Sequence, residues 1–401
     1  MRRFVNKNAI ASLVIARVIY AVNWYNIGSV FSLIALDFSE NVEGLGILTG
    51  SFYAGLGLGQ VPGGILAARI GPKKTAVYGT IVASFACLLS GLTTGFYQII
   101  LLRLVAGLGM AFVFAPGVAL IAKHFGPRAE GLGVGVFNVV FFLGGALGLF
   151  GWAVFANALG WRISLLTSGV LGLVTGLAML ILVPKDDLQV GFSVKRSALT
   201  KVLTDRSLIL LGLELIGLTG GASLVTAIMV YYMENTMGVA PAFAGLITGL
   251  ALVAALPASP LSGRKYDRDK NAPKLLLLTG IGMATGLALA AVTTIYGAAL
   301  SALIVGFCAG AGTTVGFSAA RDVNKAGREY ESLAVGWVNS IQLYSGFVSP
   351  VLFSTIVIRS GYATAWLSAG VAVLLLVLSL FAVQLSGSSG GPDLGRPQTV
   401  S

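Results

Sequence analysis

Long apolar runs separated by short polar segments make up most of this 401-residue chain. A helix that crosses a bilayer needs roughly 20 apolar residues, and many runs reach that length. They lack the strict apolar–polar alternation of a membrane β-strand, so they predict helices. The chain is therefore predicted to be an all-α membrane protein with twelve transmembrane helices, at 9–36, 43–67, 75–94, 97–122, 131–157, 162–183, 207–233, 241–262, 274–294, 296–320, 332–358 and 362–385.

Composition agrees with a membrane protein. Hydrophobic residues make up 56% of the chain and charged residues 10%, whereas soluble domains average about 45–50% and about 25%. The two cysteines, Cys87 and Cys308, fall in separate apolar runs, which predicts buried thiols and neither a disulfide nor a metal site. No cofactor is predicted.

The basic residues indicate the orientation of the chain. With the N-terminus in the cytoplasm, Arg162 and Arg359 are the external ones among 26 Lys and Arg, and Arg17 and Arg103 lie inside the runs. The other basic residues then lie on the cytoplasmic side, as orientation by positive charge requires. The net charge of +11 is thus explained by topology and by attraction to anionic membrane lipids, and nucleic acid is not a predicted partner. We expect a multi-pass protein of the cell membrane with both termini cytoplasmic.

An internal repeat divides the chain into two halves. Leu48-Thr49-Gly50 recurs as Ile247-Thr248-Gly249, and Gly135-Val136-Phe137-Asn138 recurs as Gly336-Trp337-Val338-Asn339. The offsets are about 200 residues, and both halves begin inside, which is the parallel repeat of some secondary transporters. The predicted domains are a six-helix bundle over 1–183, a cytoplasmic linker over 184–206, a second six-helix bundle over 207–386, and a flexible cytoplasmic tail over 387–401.

Three short motifs add a family resemblance. Gly64, Gly71 and Lys73 fit the pattern Gly-x-x-x-Asp-x-x-Gly-x-Arg/Lys in a basic loop between runs two and three, with Ala68 at the acidic position. The fourth run carries Arg103-x-x-x-Gly107-x-Gly109 and the sixth begins at Gly160-Trp161-Arg162. With these motifs the chain resembles the major facilitator superfamily over essentially its whole length. The resemblance implies alternating access by two rocking six-helix bundles.

The second half repeats the basic loop with a difference. It keeps Gly263 and has the acid Asp267, followed by Arg268. The resemblance implies a gating role for both loops. Asp267 could cap a helix N-terminus or hold Arg128, whereas Ala68 can do neither, so the cytoplasmic latch is predicted to be one-sided.

Three ionisable side chains lie within the apolar runs: Arg17, Arg103 and Glu214. A charge at the bilayer centre costs about 2.5–3.5 kcal/mol, so it usually faces a cavity or a partner. Arg17 is predicted to bind an anionic substrate or Glu214, and Glu214 to carry a coupling proton; a permanent ion pair or snorkelling of Arg17 remains an alternative. For Arg103 the resemblance implies proton coupling or bracing of the first helix, and substrate contact is a third alternative.

Polar and aromatic residues at similar depth are candidate substrate contacts. Tyr20 and Trp24 share the helix face of Arg17, whereas Asn23 points elsewhere, near the midplane. In run eleven, Asn339 and Gln342 are spaced i, i+3 and form one polar face. For the amides, hydrogen bonding to a neighbouring helix is the alternative.

The leading hypothesis is a transporter that couples a small organic anion to protons by alternating access, as a monomer. The alternative is a proton-antiport exporter of drugs or amphipathic metabolites, although the first half offers no intramembrane acid to hold a cation. A sensor or membrane-embedded enzyme is disfavoured because the chain has no catalytic or metal-ligand cluster in its sequence.

Overall fold

The computed structural model describes residues 6–125, 130–184, 196–325 and 330–388, and these ranges are almost entirely helical. The prediction of an all-α fold is confirmed. The helices are α1 Lys7–Phe38, α2 Val42–Ile70, α3 Pro72–Ser90, α4 Phe96–Ala111, α5 Phe114–Phe125, α6 Glu130–Leu159, α7 Trp161–Leu182, α8 Arg196–Leu203, α9 Arg206–Met237, α10 Pro241–Asp269, α11 Ala272–Ala290, α12 Ile295–Asp322 and α13 Glu331–Ser388.

The twelve predicted runs map onto these helices with two differences. The fourth run is divided into α4 and α5, because Pro116 has no N–H to give the carbonyl of Phe112 and the chain makes a tight turn there. The last two runs are joined in α13, which bends at Gly361 (φ 79°). By length and hydropathy, nine stretches of the described chain could each cross a membrane, with α4 and α5 forming one of them and α13 supplying another.

The helix ends correct several predicted boundaries. The basic segments around Gly71 and Gly263 are not loops, since α2 ends only at Ile70 and α10 continues to Asp269. Helices project beyond the apolar run because their polar ends remain hydrogen-bonded within the helix. The predicted linker contains α8, with 185–195 outside the described residues, and α13 extends to Ser388, so the predicted tail begins as helix.

Gly71 alone separates α2 from α3. Its backbone angles are φ 91° and ψ 152°, a region that is essentially restricted to glycine. Pro72 then begins α3 at the position where a missing N–H costs nothing. The sharp reversal therefore depends on one residue.

We expect Gly71→Ala to lower the free energy of unfolding by about 2 kcal/mol, because a side chain at this φ is strained. The matched control is Gly64→Ala, in the interior of α2, where an added Cβ meets no atom within 4 Å. It should be neutral or stabilising by up to about 1 kcal/mol, since alanine favours helix. Thermal unfolding of the purified variants measures both, and equal shifts would contradict the prediction.

The chain divides into two compact units, residues 1–193 with 238–249 and residues 194–237 with 250–401. The predicted domain boundaries differ from these in detail and stay a prediction. In the first unit, apolar side chains from α1, α3, α5, α6 and α7 form one buried cluster that includes Leu13, Val77, Leu120, Phe137 and Met179. This cluster fixes α1, which carries most of the candidate site.

Both units use glycine to bring two helices into backbone contact. In the first unit, a Cβ at Gly107 of α4 would overlap the carbonyl oxygen of Phe52 in α2. In the second unit, a Cβ at Gly306 of α12 would overlap the carbonyl oxygen of Ala251 in α10. Gly107 and Gly306 are 199 residues apart, and so are Phe52 and Ala251. The internal repeat therefore extends to the packing of individual helix pairs.

The positive-φ residues of the described chain also occur in repeat pairs. They are Ser39 with Gly238, Gly71 with Lys270, and Gly160 with Gly361. The offsets are 199, 199 and 201 residues. Each pair lies at the end of a helix or at a bend, so the two halves turn at equivalent points.

Large apolar side chains cover much of the outer surface of the first unit. Leu101 is 63% exposed and Ile181 is 78% exposed, and Leu147 is also exposed. Such surfaces are rare on soluble proteins but are the surfaces that lipid tails contact.

Candidate functional site

Arg17 lies in α1 and is 3% exposed. Its guanidinium carbon is 4.3–4.6 Å from the ring centroids of Tyr20, Phe137 and Phe141, and 5.2 Å from that of Phe114. Its Nε donates to the carbonyl oxygen of Phe137 at 3.4 Å. In the described part of the first unit no carboxylate forms an ion pair with it. The buried charge is thus stabilised mainly by the negative faces of aromatic rings.

One donor of this buried arginine remains available. Nη1 of Arg17 has no hydrogen-bond partner among the described residues and is shielded from solvent. A buried donor without an acceptor is costly, so such groups usually mark a place where a ligand or water binds.

An aromatic cluster surrounds the next turns of α1. The ring of Trp24 packs edge-on against Phe52, Tyr53 and Phe141, with centroids 5.2–5.7 Å apart. Its Nε1 donates to the hydroxyl of Tyr53 at 3.3 Å, and Tyr20 lies 5.8 Å away. The structure therefore brings the predicted residues Tyr20 and Trp24 together with Arg17.

The sequence reasoning missed most of these rings. Phe52, Tyr53 and Phe141 come from α2 and α6, and helix periodicity does not reveal which helices pack together. Phe137 and Phe141 are nevertheless spaced i, i+4, which places both on one face of α6. That spacing was a usable signal.

Arg103 supports α1 from α4. It is 4% exposed, and its Nη1 and Nη2 donate to the carbonyl oxygens of Asn23 and Trp24 at 3.1 and 3.4 Å. Its guanidinium also lies 4.4 Å from the centroid of Phe52. This geometry is that of the bracing alternative; proton coupling and substrate contact by Arg103 stay predictions.

The side chain of Asn23 is engaged by neighbouring helices. Its Oδ1 accepts hydrogen bonds from the hydroxyl of Ser168 in α7 and from the thiol of Cys87 in α3, the latter at 3.3 Å. Asn26 donates to Ser168 at 3.1 Å. These bonds are those expected of the structural alternative, in which the asparagines hold α1, α3 and α7 together. A substrate contact by Asn23 stays a prediction.

In the second unit a hydrogen-bonded chain links α9 to α13. Thr219 donates to Oε1 of Gln342 at 2.8 Å, and Nε2 of Gln342 donates to Oδ1 of Asn339 at 2.8 Å. The structure thus joins Asn339 and Gln342 on one face. Glu214 of α9 is completely buried. Pairing of Glu214 with Arg17 would join the two units and stays a prediction.

The motif residues of the first unit lie near helix ends. Gly71 forms the break described above, while Gly64 is inside α2 with open space around its Cα. Lys73 is nearly buried, and its Nζ donates to the carbonyl oxygen of Leu180 at 2.8 Å. A cation at this C-terminal end of α7 interacts favourably with the helix dipole.

One expectation for the second-unit motif is wrong. Asp267 does not cap a helix, because the cap of α11 is Asn271, whose Oδ1 accepts from the backbone N–H of Lys274 at 3.1 Å. Asp267 instead faces solvent, with its carboxylate 75% exposed and 3.6 Å from Lys270. Arg128, the other suggested partner, lies outside the described residues.

Another acid makes the contacts between helices at this end. Asp322 of α12 accepts from the hydroxyl of Tyr266 at 2.9 Å and from Nζ of Lys270 at 3.1 Å. Gly263 has space around its Cα, and Arg268 pairs with the adjacent Asp269 at 2.9 Å. No sequence signal pointed to Asp322, which follows an apolar run as many surface acids do.

Two repeated helical units, apolar outer surfaces and buried charged groups together define a multi-pass membrane protein of the secondary-transporter type. The chain belongs to the Major Facilitator Superfamily, whose family model matches residues 13–226 and 215–398. This is a family of membrane transport proteins and not of enzymes.

The relatives of the chain are carriers of small molecules. It is 32% identical over 129 residues to a probable L-galactonate transporter of Escherichia coli, a match that covers 32% of this chain and 28% of that protein. It is 24% identical to the probable galactarate/D-glucarate transporter GudP of the same organism, over 94% of both chains. The match to the probable L-galactonate transporter therefore spans less than a third of that protein's length.

Solved structures show the same fold. A bacterial homolog of the human lysosomal transporter Spinster, in an inward-facing and unoccupied conformation, matches with a TM-score of 0.77. The match covers 95% of this chain and 96% of that one, at 16% sequence identity. This likeness confirms the predicted fold class of twelve transmembrane helices in two six-helix bundles.

Proposed function

We propose that the protein moves a small organic anion across the cell membrane by alternating access, coupled to protons. The observation that carries the proposal is Arg17, a buried cation with an unused donor and no paired carboxylate in the described part of its unit. Such a group favours an anionic passenger and repels a cationic one. The sugar acids named for the two relatives are themselves carboxylates.

The chemistry at Arg17 suits reversible binding. The Nη1 group of Arg17 can donate a charge-assisted hydrogen bond to a carboxylate, and this bond is strengthened by the low dielectric around it. The rings already stabilise the free arginine, so the empty site remains tolerable in the membrane. A substrate that binds there loses its contacts with water and gains contacts with Arg17 and the surrounding rings.

Glu214 is the residue we assign to proton coupling. It is an acid in a membrane-spanning helix and is completely buried. Buried acids in membrane transporters commonly take up and release protons. Protonation of Glu214 removes one negative charge from the membrane interior, and this change in charge links proton movement to the state of the carrier.

We also propose a membrane location, an oligomeric state and a set of gating residues. We place the protein in the plasma membrane, and the Lys and Arg asymmetry supports both termini in the cytoplasm, where the basic segments would attract anionic lipid. We propose that it works as a monomer. Gly64, Gly71, Lys73, Gly263, Asp267 and Arg268 are the candidate gating residues on the cytoplasmic side.

Reconstitution tests the coupling. In proteoliposomes with an inward proton gradient, we expect gradient-driven uptake of a labelled anion (gluconate, lactate and benzoate, each assayed separately) to fall at least tenfold in Glu214→Gln. Anion exchange without a gradient should persist, because the glutamine still fills the space. The matched control is Glu234→Gln on the same helix, which should behave as wild type. Gradient-driven uptake that is unchanged in Glu214→Gln would reject the coupling role.

A further inference from the structure

We infer that the preferred substrate is an aromatic monocarboxylate. This inference rests on the proposed function and narrows it. It is carried by the rings that surround Arg17 and by the polar groups near it that are already engaged.

The surface around Arg17 is almost wholly aromatic. Trp24, Tyr25, Phe114 and Phe141 are partly exposed, so their rings remain available to a ligand, whereas Phe137 behind them is buried. A carboxylate that reaches Nη1 of Arg17 must place its carbon body among these rings. Aromatic rings prefer offset or edge-to-face partners, so a planar aromatic body gains contacts that a saturated one does not.

The charge that this unit can neutralise is a single carboxylate. Arg17 has a free Nη1, but both Nη groups of Arg103 are held by carbonyl oxygens of α1. Of the three nitrogens of the Arg103 guanidinium only Nε has no partner among the described residues, so this group is largely committed to holding α1. An amino acid is also disfavoured, because no carboxylate of the first unit's described residues is paired with Arg17 or placed among the rings to receive an ammonium group.

Several of the polar groups beside the rings are engaged with one another. The amide oxygen of Asn23 is occupied by Ser168 and Cys87, and the hydroxyl of Tyr53 accepts from Trp24. With these groups engaged, several hydroxyl groups of a sugar acid would be buried against rings without partners, which disfavours binding.

Four small ligands separate these features in calorimetric titrations of the purified full-length protein. Benzoate has the ring and the charge, cyclohexanecarboxylate has the charge and a saturated ring, gluconate has the charge and hydroxyl groups, and benzamide has the ring without the charge. We expect benzoate to bind at least tenfold more tightly than gluconate and several-fold more tightly than cyclohexanecarboxylate. Benzamide should show no binding at the same concentrations.

A pair of variants on α6 locates the effect. Phe141→Leu should abolish the preference for benzoate over cyclohexanecarboxylate, because it removes a ring next to Arg17. Phe155→Leu, the same change on the same helix beside Trp152, should leave that preference intact. The comparison is a ratio of two ligands on one variant, so a general loss of stability does not imitate it.

The outcomes separate the two proposals. Gluconate that binds as tightly as benzoate, or a preference unchanged in Phe141→Leu, overturns the aromatic inference and leaves anion transport standing. Benzamide that binds as well as benzoate, or no binding by any of the three carboxylates, overturns the anion proposal as well.

Discussion

Arg17→Gln is expected to reduce the kcat/KM for anion uptake by about 30-fold or more. Truncating one partner of a buried, hydrogen-bonded charge pair costs about 2–5 kcal/mol, and 1.4 kcal/mol corresponds to roughly tenfold. Because no carboxylate of the described first unit is paired with Arg17, the loss appears when the substrate carboxylate binds. Uptake of labelled substrate into proteoliposomes, measured over a range of concentrations, gives the value.

Two further variants test which property of Arg17 matters and whether substitution of another arginine has the same effect. Arg17→Lys keeps the charge but not the planar fork, so it should recover only part of the activity. Arg162→Gln is the control, since Arg162 is an exposed arginine that forms a surface ion pair with Asp37, and it should transport normally. Wild-type uptake by Arg17→Gln would remove the basis of the proposed function.

Gly107→Ala is expected to destabilise the protein by about 3 kcal/mol and to lower its thermal midpoint by roughly 3–5 °C. The new methyl group would overlap the carbonyl oxygen of Phe52, so α2 and α4 must move apart. Phe52 also contacts Trp24 and Arg103, and the same shift should weaken anion binding. Thermal unfolding and ligand titration of the purified variant measure the two effects.

Gly151→Ala is the matched substitution for this experiment. Gly151 lies inside α6, and an added Cβ there meets no atom within 4 Å. Alanine should raise its stability by up to about 1 kcal/mol, since glycine is the poorer helix former. If Gly107→Ala were as stable as Gly151→Ala, the backbone contact between α2 and α4 would not limit stability.

Much of the fold was predictable because the bilayer imposes a simple rule. A long apolar run must be helical there, so hydropathy alone indicated the helices. The ends were less predictable, since charge does not end a helix: α10 continues through Lys265 and Arg268 to Asp269. The break between α4 and α5 had a local signal in Pro116, which deprives the carbonyl of Phe112 of its usual donor.

The candidate site was predictable only within single helices. The spacing of Arg17, Tyr20 and Trp24 indicated a shared face, and the structure places the three together. The rings of Tyr53 and Phe141 come from other helices, and their contacts depend on helix packing that periodicity does not encode. The same limit applies to Asn23, whose hydrogen bonds to α3 and α7 could not be distinguished from exposure to a cavity.

The repeat pairs of positive-φ residues bear on the history of the chain. Ser39 with Gly238, Gly71 with Lys270, and Gly160 with Gly361 have outlasted most of the sequence likeness between the halves. The intramembrane charges are not repeated between the halves. At the offset of 199 residues, Arg17 corresponds to Ile216 and Glu214 corresponds to Ile15. The two halves thus share their bends but differ in their intramembrane chemistry. On the roles that we propose, one copy specialised in holding the anion and the other in carrying the proton.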